Sequence, residues 1–187
     1  MAGPLSLLKY LKAQSRRYLN ELSPVQRELL TRYQEASDLN HYLRNGFGKT
    51  PDNIIQQHMQ EVQTLDDLIA NAPRLPEDIQ AYRVAPKKVY PGEEKGFLST
   101  ALDRSGAEDF LSQYDPSMDA LFPENQMYRI NVQNDTPYVM PMDLVPEYED
   151  QMEMILPRGG MLLPSEESAG GSILDYLRGN YCEGGSV

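Results

Sequence analysis

Gln151-Met152-Glu153-Met154-Ile155-Leu156-Pro157-Arg158-Gly159 is the stretch that decides how this chain is read. Met154, Ile155 and Leu156 form an apolar run that Pro157 and Gly159 end, the signature of a short buried strand followed by a turn. Glu153 stands at the head of that run. A carboxylate inside an apolar strand costs free energy unless it faces a polar cleft, so Glu153 is a candidate for chemistry. Alternation along a strand would put Gln151 on the same face, two positions earlier. Glu147-Tyr148-Glu149 also carries carboxylates two apart and is the main competitor, but no apolar strand follows it directly.

Upstream lie more segments of the same texture. Ile79 to Val84, Gly96 to Thr100, Met127 to Val132, Pro137 to Met140 and Met161 to Leu163 are short apolar runs broken by Pro and Gly, and they read as strands. Only one helix is expected among them, where Ser105-Gly106-Ala107-Glu108 has capping-box spacing. Strands that follow one another with few helices between them favour an antiparallel α+β arrangement. Ile173 to Arg178 reads as a terminal helix.

The first third has the 3.6-residue texture of helices. Leu5 to Leu22 is amphipathic. Ser23-Pro24-Val25-Gln26 is a new start with a capping box, and that helix runs toward Asn45-Gly46. Thr50-Pro51 opens a third helix, with Thr64-Leu65-Asp66-Asp67 recapping a short one through Ala70. The expected organisation is a helical lobe over residues 1–72 packed on a β-rich core over residues 73–187, one compact domain in all.

The 187 residues carry 17 Lys and Arg against 28 Asp and Glu, a net charge of −11. That field repels phosphate backbones and argues against duplex nucleic acid as a partner. One buried arginine can still grip the phosphate of a small molecule. The single cysteine, Cys182, allows no intrachain disulfide, and with only His41 and His58 beside it a zinc site is not expected. Basic residues interrupt the N-terminal leucines before a signal-peptide core forms, and no run reaches membrane-spanning length. The expected location is a cytoplasm, either that of the producing cell or that of a host into which the chain is delivered. The methionines at 140, 142, 152 and 154 read as core packing, and His58 as a half-buried core residue.

Arg83 ends one strand run, Ser99-Thr100 another, and Glu153 heads a third. In this order, with Asn40-His41-Tyr42-Leu43-Arg44 in the helical lead-in, the chain resembles the mono-ADP-ribosyltransferases of the arginine, serine-threonine, glutamate type, which include clostridial exoenzymes and phage and effector transferases. The likeness covers roughly residues 29–163. It implies a fold of two antiparallel β-sheets meeting at a cleft with an N-terminal helical lobe, and NAD as co-substrate. Arg83, with Val84, Ser99 and Thr100, would bind NAD; Ser99 would hold Glu153; Glu153 would stabilise the ribosyl cation; Gln151 would orient the acceptor. Gln at that position implies an amide or hydroxyl acceptor on a protein rather than an arginine. Val84 stands where the family has Gly, and Ala101 where it has Ser. The nicotinamide-stacking aromatic is open among Phe110, Tyr114 and Phe122. Two other readings keep the same fold: a catalytically silent structural or interaction protein, and NAD hydrolysis without a specific acceptor.

Overall fold

Four helices come first in the computed structural model, which describes residues 4–35, 38–86, 89–112, 125–166 and 172–178. They are α1 (Pro4–Glu21), α2 (Pro24–Glu35), α3 (Asp38–Asn45) and α4 (Asp52–Ala70). Strands β1 (Ile79–Pro86), β2 (Gly92–Glu94) and β3 (Leu98–Ala101) follow, then helix α5 (Arg104–Ser112) and β4 (Asn125–Val132). Two 3-10 turns, Pro141–Asp143 and Pro146–Gln151, lead into β5 (Glu153–Leu156), β6 (Gly160–Pro164) and β7 (Ile173–Leu177).

The α+β expectation with its N-terminal helices is met. The strands run in the order β2-β6-β7-β4-β1-β3-β5. Two antiparallel groups, β2-β6-β7 and β4-β1-β3-β5, join through a parallel pairing of β4 with β7. Ile173 to Leu177 is therefore a strand and not the helix expected. Its burial alternates, with Leu174 and Tyr176 inside, and five residues are too few for a helical period to be told from a strand's. Pairing with β4 and β6 on either side decided the outcome.

Local signals succeeded where side chains could satisfy the backbone at once. Ser23 and Gln26 form the expected box, Gln26 N donating to Ser23 Oγ at 3.2 Å and Ser23 N to Gln26 Oε1 at 2.9 Å. Thr64 does not restart a helix: its hydroxyl donates back to Gln60 O at 3.0 Å, within an unbroken α4. The helix expected to run from Ser23 to Asn45 is divided into α2 and α3. Helix α5 is capped by Asp103, whose Oδ1 accepts Gly106 N at 2.7 Å, two residues earlier than the Ser105 expected. Pro137 to Met140 makes single bridges only, Val139 exchanging both backbone bonds with Ile155.

Two apolar clusters share the strands that matter. Leu98, Met154 and Leu156 enter a cluster with Tyr128, Ile130 and Tyr176. Phe97 and Ile155 enter the other, with Leu30, Tyr33, Leu65 and Leu68 of the helices. Strand β5 is thus covered on both faces, the physical reason for its uninterrupted Met-Ile-Leu. Met140, Met142 and Met154 are buried packing residues, as expected.

One close approach deserves a test. A Cβ on Gly160 would stand 2.2 Å from the ring of Tyr176 and 3.0 Å from Leu177 O, and Tyr176 is held by its hydroxyl donating to Pro157 O at 2.8 Å. The ring has no room to retreat, so Gly160→Ala should destabilise the protein by about 1–3 kcal/mol, read by urea unfolding. An unchanged midpoint would show that β6 and β7 can separate freely.

Candidate active site

Strand register brings the sequence candidates together. On β3 and β5, Ala101 opposes Glu153 and Ser99 opposes Ile155, so Ser99 and Glu153 are diagonal neighbours on one face. Tyr82 of β1 opposes Ala101, which sets Arg83 beside the same strand. Arg83, Val84, Ser99, Thr100, Gln151 and Glu153 all line one cleft, with about 380 Å³ of space including its open mouth.

The Glu153 carboxyl is pushed up to about 7. Burial is the main cause, and the Ser99 hydroxyl, the Gln34 side chain and the Arg83 charge draw it part of the way back. Behind it runs a chain of donors. Asn40 Nδ2 donates to the Tyr33 hydroxyl at 2.7 Å, and Tyr33 lies 3.0 Å from Ser99 Oγ. A hydroxyl has one proton to give, and either Tyr33 or Ser99 can donate in their contact, while the Ser99 hydroxyl acts to lower the Glu153 pKa. Burial, and then the charge of Glu153, push the Tyr33 phenol up to about 12, so it remains a proton donor at neutral pH.

Arg83 donates through one terminal nitrogen to Ser99 O at 2.6 Å, while its Nε is buried without a hydrogen-bond partner. Burial works to lower its pKa, but Tyr90, Glu94 and Tyr33 together raise it. A charged guanidinium with an unused buried donor is poised for an anionic group.

Asn40 and Arg44 tie the lead-in helix to this site. Asn40 Oδ1 accepts Phe97 N at 2.8 Å and its Nδ2 donates to Phe97 O at 3.2 Å. Arg44 Nε donates to Glu94 at 2.8 Å, and Glu94 also accepts Gly96 N at 2.9 Å and the Tyr90 hydroxyl at 2.5 Å. Burial works to raise the Glu94 pKa, yet Arg44, Arg83 and Tyr90 hold it below the usual range. Sequence reasoning missed Gln34, Tyr90 and Glu94 altogether. Nothing in Glu93-Glu94 marks the second carboxylate as the buried one.

Gln151 reaches the cleft from a turn and not from strand β5. It ends the 3-10 turn Pro146–Gln151, and Met152 follows in the left-handed conformation at φ 47°, so strand alternation does not relate it to Glu153. It reaches the cleft because α5 packs on that turn: a Cβ on Gly106 would stand 2.4 Å from Gln151 O. Thr100 lines the cleft, but its hydroxyl donates to Met154 O at 2.9 Å and locks β3 to β5. Val84 fits without strain, since it lies in regular β1 pairing with Met127 and needs no positive φ. The competing Glu147 and Glu149 are exposed on the turn. Among the stacking candidates, Tyr114 and Phe122 lie outside the described residues, and Phe110 belongs to α5. His58 is half-buried against the Tyr42 ring and Glu61, and among the described residues no cluster could hold a metal ion.

The fold is the α+β architecture of the ADP-ribosylating toxins. The family model described as ADP-ribosyltransferase exoenzyme matches residues 9–92, from α1 to the start of β2. A search of curated protein sequences finds no match. Among solved structures, the chain is similar to Plx2a, an ADP-ribosyltransferase toxin from Paenibacillus larvae, with a TM-score of 0.63 and 18% identity over 93% of this chain and 96% of that one. It is similar also to the Vis toxin from Vibrio splendidus, at 0.65 and 13% identity over 96% and 85%. The C3 exoenzyme of Clostridium limosum gives 0.60 and 16% identity over 96% of both chains. The family model thus covers the helical lead-in and β1, and the solved structures share the fold of the whole chain.

Proposed function

We propose that this protein cleaves NAD and transfers ADP-ribose to a protein acceptor, the helical lobe of residues 1–72 supporting a catalytic core of residues 73–187 as one domain, in the manner of a toxin-like effector acting inside a host cell. The observation that carries the reading is Glu153, a buried carboxyl at the head of an apolar strand, set beside Ser99 on one sheet face and in one cleft with Arg83. A neighbouring fold, the BECa toxin of C. perfringens, has been solved with NADH, which supports a dinucleotide here. Among the described residues no helix is long and apolar enough to cross a membrane.

Arg83 grips a phosphate of NAD with its free Nε, and the backbone of Val84 faces the nicotinamide side. The bond between ribose C1′ and the pyridinium nitrogen breaks, and its electron pair leaves with nicotinamide, which departs neutral. Positive charge then develops on the ribose, where the ionised Glu153 stabilises it as carboxylates do in glycoside cleavage. Ser99 and Thr100 act by position, Ser99 orienting Glu153 and Thr100 fixing β3 against β5. The acceptor attacks C1′ and loses its proton. Water in place of the acceptor gives NAD hydrolysis on the same residues.

Incubation with adenylate-labelled NAD and a cell lysate, with nicotinamide release measured alongside, tests this. Labelled protein and free nicotinamide are expected; a wild-type chain that releases none at neutral or mildly alkaline pH would be the silent relative instead.

Gln151 is neutral and both donates and accepts, which suits an amide or hydroxyl side chain, whereas a carboxylate would attract a guanidinium. Vis has been solved in complex with agmatine, so guanidinium ligands occur in this fold. Gln151→Glu is expected to keep NAD hydrolysis and to lower modification of the native target about tenfold, with label appearing on arginine. Mass-spectrometric mapping decides, and wild-type label confined to arginine would refute this role for Gln151.

A further inference from the structure

The partly buried apolar residues packed on the main cluster are Leu7, Leu8, Ile79, Leu102 and Met152, and all five line one groove of about 620 Å³ between α1 and β1. Its wall includes Leu5, which is 76% exposed. Glu77, Asp78 and Asp103 line it as well, and among the described residues no lysine or arginine does. Asp78 accepts Asn134 N and Asp103 accepts Gly106 N, both at 2.7 Å. Those partners are neutral backbone amides, so the charges stay uncompensated. Among the described residues no ion pair engages any of the three.

The groove is continuous with the candidate active site. Tyr82 lines both. Met152, at the groove, lies between Gln151 and Glu153, and its carbonyl accepts Leu102 N at 3.1 Å. We propose that the groove docks the acceptor protein, through a segment presenting an aliphatic side chain flanked by lysine or arginine; this rests on the transferase reading above. An apolar trough takes an apolar anchor because burial removes both surfaces from water. The three carboxylates, within a chain of net charge −11, attract basic flanks and repel acidic ones. The same charge opposes a second copy of this chain as occupant. Contact at Tyr82 sets the docked segment beside the cleft, so the groove selects the protein and the cleft selects the residue to be modified.

Fluorescence anisotropy with three dye-labelled synthetic peptides tests the inference on the full chain: a central leucine flanked by lysine and arginine, the same leucine flanked by glutamate, and the basic peptide with serine for leucine. The first is expected to bind, and the other two about tenfold or more weakly. Leu5→Arg and Glu77→Arg should each weaken the first peptide, with circular dichroism confirming the fold and NAD hydrolysis at the wild-type rate. Equal binding of all three peptides, or unchanged binding by both variants, would overturn the proposal. So would a wild-type dimer in sedimentation that Leu5→Arg dissociates, since the groove would then be a self-interface. Peptide binding without any NAD hydrolysis by the wild type would instead remove the transferase reading and leave the docking site standing.

Discussion

Glu153→Gln is expected to lower NAD cleavage and ADP-ribose transfer by about a thousandfold, with NAD binding through Arg83 largely kept. The substitution preserves shape and removes the one negative charge facing the ribose, so ground-state contacts survive and transition-state stabilisation does not. Single-turnover nicotinamide release gives the rate, and calorimetry gives the affinity. A loss of binding equal to the loss of rate would move Glu153 from chemistry to simple NAD retention. The wild-type pH profile makes a linked claim. Glu153 acts ionised and its carboxyl sits at about 7, so kcat/KM should rise with pH through about 7 and then level. Stability runs the other way. The folded pKa lies above the ordinary 4.5, so the native state holds this proton more tightly than the unfolded chain. That contribution is complete below pH 4.5 and is lost as pH climbs through about 7. Glutamine has no charge to bury, and Glu153→Gln should therefore be the more stable protein above neutrality, with the difference vanishing in acid.

Glu94→Ala is expected to cost about 3–5 kcal/mol of stability, since removing one member of a buried ion pair strands the other charge. Glu94 is 2% exposed and neutralises Arg44 while holding the pKa of Arg83 up. Its loss leaves two guanidinium groups close to Tyr90 without their shared anion. For a chain of this length the thermal midpoint should fall by roughly 10 °C. The double variant Arg44→Met, Glu94→Ala should lose less than the sum of the singles, because Arg44 is then no longer left as a stranded charge. Additive losses would mean that the pair contributes nothing beyond its separate contacts. Glu94 is held below its usual range, so its contribution is present above the ordinary 4.5 and declines as pH falls through the lower folded value.

The apolar runs, the capping box at Ser23 and the order Arg83, Ser99, Glu153 were legible in the sequence because each is a local pattern. Helix period, strand texture and a carboxylate at the head of an apolar run require no knowledge of what lies opposite. The resemblance to the exoenzyme family rested on the same local strings, and the family model and solved folds agree with it. What the tertiary structure alone decided lies across the chain. Ile173–Leu177 became a strand because β4 and β6 offered it backbone partners on both sides. Gln151 reached the cleft by a turn packed under Gly106 and not by strand alternation. Gln34, Tyr90 and Glu94 entered the site from positions that their local sequence does not single out. Their significance comes from desolvation and from charges contributed by distant residues, and those exist only once the helices have closed on β3 and β5.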